Sequence, residues 1–75
     1  MDAIGDRVRL ARKNAGLTQA QLAENTGLSR SYLAGVERGY YNPSVKTLLA
    51  IAAETKADLN FLAAMTEIQV KKEDD

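Results

Sequence analysis

The side chains able to do chemistry in this chain are few, and most of them are cations. Residues 1–53 carry seven basic groups (Arg7, Arg9, Arg12, Lys13, Arg30, Arg38 and Lys46) against four acidic ones (Asp2, Asp6, Glu24 and Glu37), a net charge of +3. Residues 54–75 carry three basic and six acidic groups, net −3, so the zero total conceals a split along the chain. Such a division fits a protein that turns one side toward a polyanion. Covalent catalysis has little to work with. Histidine and cysteine are both missing, which removes the commonest general base, the usual zinc ligands and any disulfide. A serine nucleophile would lack its usual base. No Gly-rich phosphate loop of the Walker or Rossmann type is present. The acidic cluster Glu73, Asp74 and Asp75 closes the chain and reads as a solvated tail. The expectation is a protein that is not an enzyme, with no cofactor and no metal.

Seventy-five residues, 45% apolar and 27% charged, have globular composition. A chain of this size makes one domain with a thin core, stable only marginally unless it dimerises. No run approaches the ~18 apolar residues of a membrane span, and no signal peptide opens the chain. No membrane partner and a cytoplasmic location are expected.

The elements that must position the cations are helices. Gly16, Gly27 and Gly39 each follow a helical stretch, where a left-handed residue ends a helix. Thr18, Ser29 and Ser44 follow as N-caps. The first helix is expected over about Asp2 to Ala15, with Ile4, Val8, Ala11 and Ala15 on one face and Leu10 off it. The second covers Gln19 to Thr26, opened by the capping-box pair Thr18 and Gln21, with Leu22 and Ala23 inward. The third covers Arg30 to Arg38, with Leu33 and Val36 buried. The fourth starts after Asn42-Pro43-Ser44, and Leu48, Leu49, Ile51 and Ala52 give it a broad apolar face. The fifth follows Asp58 and carries Leu59, Phe61, Leu62 and Met65. Thr66–Val70 reads as a last helical turn or a short strand. Only Gly27 and Leu28 separate Thr26 from the cap Ser29. Two short helices joined so tightly cross steeply, as in a helix-turn-helix unit. Neither is stable alone, so the remaining helices must form its base.

In order along the chain stand Arg12; Gly16-Leu17-Thr18-Gln19; Leu22-Ala23; Gly27-Leu28-Ser29; Tyr32-Leu33; Val36-Glu37-Arg38-Gly39; Asn42-Pro43-Ser44; Leu48 with Ile51-Ala52; and Leu59 with Leu62. This pattern, running from Ile4 to Leu62, resembles the lambda-repressor-like (Cro/CI or XRE) helix-turn-helix regulators of bacteria and phages. The stretch from Arg30 to Pro43 also resembles the controller proteins of restriction–modification systems. The resemblance implies an all-α, five-helix domain over residues 1–65, with the helix-turn-helix at helices two and three. Residues 66–75 would be a short tail, partly dimerising or disordered. It implies a transcriptional regulator of repressor or controller type that binds double-stranded DNA as a homodimer on a palindromic operator.

In this family the second helix of the motif enters the major groove. Carried over, Arg30, Ser31, Tyr32, Ala34 and Gly35 are the base-contacting candidates. Arg30 suits a bidentate pair with guanine O6 and N7. Ser31 suits several base edges or a phosphate. Tyr32 offers a ring to a thymine methyl and a hydroxyl to a phosphate, or packs on its own helix. Gly35 replaces the longer polar reader of many relatives. Two readings stay open for it: close approach to DNA, or close packing against protein. Thr18, Gln19, Arg38, Tyr40, Tyr41, Asn42 and Lys46 are the phosphate-contacting candidates, the tyrosines alternatively packing on the core. Arg12 and Glu37 would form a structural ion pair between helix one and the end of helix three, with DNA contact by Arg12 as the alternative. Phe61, Met65, Ile68 and Val70 are the candidate dimer surface, and closure of the monomer core by Phe61 and Met65 is the alternative. Glu54-Thr55-Lys56-Ala57 departs from the apolar residues and glycine usual there. A ligand-binding or self-cleaving second domain is not expected, so control would come through concentration, dimerisation, RNA polymerase or a regulatory partner protein. A protein-interaction module, such as an antitoxin or antirepressor, is the rival from another class.

Overall fold

Four of the five helices begin where a side-chain oxygen takes up a free backbone amide. The computed structural model describes residues 3–63, and its elements are α1 (Ile4–Asn14), α2 (Gln19–Thr26), α3 (Arg30–Arg38), α4 (Val45–Thr55) and α5 (Leu59–Leu62). The Thr18 hydroxyl accepts from the Gln21 amide at 3.0 Å, and the Gln21 side chain accepts from the Thr18 amide at 2.9 Å, closing a reciprocal box. Ser29 accepts from Tyr32 at 3.0 Å, Ser44 from Thr47 at 3.1 Å and Asp58 from Asn60 at 2.9 Å. Helix α2 stops on Gly27, whose φ of 77° is the left-handed conformation that glycine adopts without a Cβ penalty. The chain turns there, the Leu28 amide donates to the Ala23 carbonyl at 3.1 Å, and Leu28 packs against the core. Ser29 then opens α3. The bounds of α2 and α3 are those expected from the sequence.

Every helix gives side chains to one core: Val8 and Ala11 from α1, Leu22 and Ala23 from α2, Leu33 and Val36 from α3, Leu48, Ile51 and Ala52 from α4, and Leu62 from α5. Helix α1 packs on α3, α4 and α5, and α2 on α3 and α4. The α2–α3 pair thus rests on α1 and α4, which pack in turn against α5.

Two readings of the apolar faces are corrected. Helix α1 is shorter than expected, and Ala15 lies beyond its end, exposed. Leu49 is 51% exposed rather than buried. The buried stripe of α4 is Leu48, Ile51, Ala52 and Thr55, the i, i+3, i+4, i+7 set of a helix facing one core, and Leu49 points off it. Thr55 is buried because its hydroxyl donates to the Ile51 carbonyl at 2.8 Å, so no polar atom is stranded. In α5 only Leu62 is fully buried, while Leu59 and Phe61 are half-buried against the core. Met65, Ile68, Val70, the Thr66–Val70 segment and the 66–75 tail lie outside the described residues.

A contact that patterning did not indicate joins α1 to α3. A Cβ on Gly5 would fall on the carbonyl oxygens of Val36 and Glu37. The helices approach that closely only because residue 5 has no side chain.

Candidate nucleic-acid interface

Ser29 fixes where α3 starts, so it also fixes which side chains stand at its amino end. Arg30 and Ser31 are exposed there, Tyr32 and Ala34 are half-buried, and Leu33 and Val36 face the core. Gly35 is buried. The space a Cβ would occupy on Gly35 is filled by the ring of Tyr41. That ring also stacks on Tyr32, with centroids 5.6 Å apart and planes inclined by 15°. Of the two readings left open for Gly35, the geometry selects close packing against protein. The Tyr41 ring thus lies over the backbone of Gly35. Tyr41 packs on α3 yet remains 52% exposed, and Tyr40 is 71% exposed. Arg38, Asn42 and Lys46 are exposed in the same stretch, at the end of α3, in the following loop and in the first turn of α4.

Beneath this surface lies a polar cluster around Glu37, which is 3% exposed. Arg12 donates to it twice, Nε to Oε2 at 2.7 Å and Nη2 to Oε1 at 3.0 Å. This is the bidentate fork that makes arginine–carboxylate pairs directional. The third guanidinium nitrogen, Nη1, donates to the Leu17 carbonyl at 3.0 Å. Gln19 Nε2 donates to Glu37 Oε1 at 3.1 Å. Arg9 donates to the Glu37 carbonyl at 3.3 Å, and its Nε lies 3.8 Å from Oε1. One carboxylate at the end of α3 thus gathers α1 and the first turn of α2. Burial pushes the Glu37 carboxyl up, but hydrogen bonds from Arg12 and Gln19, with the charges of Arg12 and Arg9, outweigh it and hold the group below its ordinary value of 4.5. The hydrogen bond to Glu37 raises the Arg12 guanidinium above its ordinary value, against the opposing effect of burial.

The sequence pairing of Arg12 with Glu37 is present as an ion pair. The parts played by Gln19 and Arg9 were missed, because nothing in either residue's local pattern marks a partner eighteen or twenty-eight positions away. Thr18 serves as the α2 cap. Gln19, expected to face phosphate, has its side-chain amide on Glu37.

Phe61 lies apart from this surface. The Arg7 guanidinium sits over its ring at 4.8 Å from the centroid, and Arg7 Nη1 donates to the Phe61 carbonyl at 3.2 Å. The ring also forms part of the wall of a groove of about 340 Å³ between α1 and the α4–α5 junction, with Leu10, Ala11, Asn14, Thr55 and Lys56 among its lining. Among the described residues there is no cluster of three or more potential metal ligands, and no helix is long and apolar enough to cross a membrane.

Comparison with known proteins sets these features beside characterised chains. The helix-turn-helix family HTH_3 matches residues 8–62. The immunity repressor protein of Bacillus phage phi105 is 57% identical over 49 residues, 65% of this chain and 34% of that protein. The ImmF control region 10 kDa protein of the same phage is 46% identical over 70 residues, 93% of this chain and 77% of that protein. This chain therefore spans about a third of the immunity repressor and most of the smaller protein. The crystal structure of the restriction–modification controller protein C.AhdI from Aeromonas hydrophila is similar with a TM-score of 0.74 and 41% identity, over 79% of this chain and 89% of that one. A SinR protein/SinI protein complex is similar with a TM-score of 0.79 and 30% identity, over 92% of this chain and 68% of that one.

Proposed function

The chain belongs to the HTH_3 family of helix-turn-helix transcriptional regulators, and we propose that it acts as a repressor-type regulator reading a palindromic operator as a homodimer. The reading rests on one observation above the others. The amino end of α3, with Arg30 and Ser31 exposed, follows a three-residue turn, and the exposed Arg38, Tyr40, Tyr41, Asn42 and Lys46 follow from the end of α3 into the first turn of α4. A helix so presented suits the major groove, and the donors that follow it suit phosphates. Arg30 would read guanine, while Ser31, Tyr32 and Ala34 would complete the base-facing surface. The α2 amino terminus would hold a phosphate through the backbone amides of its first turn, at Gln19 beside the Thr18 cap, since the Gln19 side chain is on Glu37. Work on DNA implies the cytoplasm of a bacterium as its location.

One reading helix covers too few base pairs for useful specificity, so a two-fold pair of domains is inferred, with half-sites about 34 Å apart. Phe61 and the groove beside Leu10 are the described part of that inferred interface. Selection of bound duplexes from a random pool tests the whole reading. Enrichment of a palindrome supports it, and failure to enrich any sequence overturns it. For the interface, Phe61→Ala should lower the sedimenting mass at micromolar concentration while helicity persists. An unchanged mass places the interface elsewhere, and loss of helicity assigns Phe61 to the monomer core.

The second reading, a module whose main partner is a protein, is favoured by two features. The domain of the SinR protein/SinI protein complex shares this fold, and α4 exposes Val45 and Leu49 one turn apart. The same selection separates the readings, since a protein-only module enriches no duplex.

A further inference from the structure

Tyr41, exposed, stacks on the half-buried Tyr32, and a phosphate contact through the Tyr41 hydroxyl leaves its ring without an assigned task. Tyr41 comes from the loop after α3, yet its ring occupies the place that a side chain at position 35 would take. Tyr32 stacks on it from α3 itself. Tyr32 and Gly35 are three positions apart and so lie on neighbouring sites of one helix face. The outcome is a stacked pair of rings, one helix-borne and one loop-borne, with the Tyr41 ring lying over Gly35 and half exposed. It is held on two sides before any ligand arrives, so little rotamer freedom remains to be lost on binding.

We infer that Tyr41 is a specificity-determining residue, its ring seated on Gly35 and braced by Tyr32 to read the 5-methyl group of one thymine in each half-site. The inference rests on the DNA-reading function proposed above and names a contact within it. An aromatic surface has no hydrogen-bond code with which to tell bases apart, but the thymine methyl is the apolar mark in the major groove. The Tyr41 hydroxyl is not needed for that contact, which separates this role from a phosphate contact made through the hydroxyl. Gly35 serves as the seat: any Cβ there displaces the ring.

The test starts from the duplex that the wild-type chain enriches. Each thymine is replaced in turn by deoxyuridine, which removes one methyl and nothing else. Wild type and Tyr41→Phe should both lose about fourfold in affinity at one position per half-site, the worth of one buried methyl. Tyr41→Ala should be indifferent to that replacement. Gly35→Ala, which favours the helix locally, should also be indifferent, and the double variant should behave as either single one. Circular dichroism establishes that each variant is folded, and if Gly35→Ala is not, Tyr41→Phe against Tyr41→Ala still decides. Persistence of the thymine effect in Tyr41→Ala overturns the inference. So does an equal loss on selected and random duplexes in Tyr41→Phe, which would make Tyr41 a phosphate contact. Enrichment of a sequence with no thymine effect overturns this inference alone, whereas enrichment of nothing overturns the regulator reading and this contact with it.

Discussion

Arg12 and Glu37 meet as a two-pronged pair, at 2.7 and 3.0 Å, with the carboxylate out of solvent and the guanidinium nearly so. Removing one member leaves the other as a buried charge without its counter-ion, which typically costs about 3–5 kcal/mol. A 75-residue domain has little more than that to lose. Arg12→Ala should therefore be largely unfolded at room temperature in urea titrations begun from water. Arg12→Lys should rescue only part, because an ammonium cannot present the planar fork. Full stability in Arg12→Lys would show that charge alone carries the contact.

The same carboxylate sets an acid limit. Glu37 is held below its ordinary value of 4.5 in the folded chain. As pH falls from neutrality the unfolded chain takes up that proton first, and stability declines. The contribution is complete above about 4.5 and is lost as pH drops through the lower folded value. Urea midpoints measured from neutrality to strong acid should fall steeply for wild type. Glu37→Gln should be less stable at neutrality and have a flatter profile in the acid range. Parallel profiles would assign the acid sensitivity to other carboxylates.

Gly5→Ala tests the close approach of α1 to α3. Alanine is the better helix former by about 1 kcal/mol, so propensity alone predicts stabilisation. The Cβ would meet backbone carbonyls of Val36 and Glu37, which cannot rotate away. A net loss of about 2–3 kcal/mol is expected, as for an overpacked core. A rise in thermal midpoint would show that the helices separate without cost.

Lys56 ends α4 with φ at 62° and ψ at 21°, left-handed values without a glycine. That conformation costs an L-residue about 1–2 kcal/mol, partly balanced by the greater freedom glycine has when unfolded. Lys56→Gly should stabilise the domain by about 0.5–1 kcal/mol, read as a higher urea midpoint at constant slope. An unchanged midpoint would mean that the lysine gains as much elsewhere as its backbone loses.

Two cations on the exposed surface should differ in kind. Arg30→Ala should cost about 1–3 kcal/mol on the enriched duplex and relax preference at one base pair per half-site. Lys46→Ala should weaken all duplexes alike and reduce the salt slope by about one per monomer. Equal losses on specific and random DNA would move Arg30 to the phosphates, and an unchanged slope would take Lys46 off the DNA.

What could be read from the sequence divides by distance along the chain. Helices α2 and α3 were legible to the residue because caps and end-glycines act within a few positions, as Thr18 with Gln21 and Gly27 after Thr26 show. The Arg12–Glu37 pair was legible only through family resemblance. Leu49 was misread because a run of apolar types does not say which side of α4 meets the core. Gly5 against Val36, Gln19 on Glu37 and Tyr41 over Gly35 are contacts between separate elements, and no periodicity encodes them. A glycine inside a helix with no turn to make is the one local hint, and both Gly5 and Gly35 carry it.

The contact at Gly5 also has mechanical meaning. Between most helices a layer of side chains acts as a cushion that can shear by small rotamer changes. Here α1 bears directly on the backbone at the end of α3, and the Glu37 cluster braces the same joint. The two helices behave as one strut. On the proposed reading, a groove that is too wide or too narrow would not be met by tilting α3 within the domain. The adjustment would fall on the DNA, whose resistance to bending and twisting depends on its sequence. Base pairs that the protein never touches would thereby enter its preference through their stiffness.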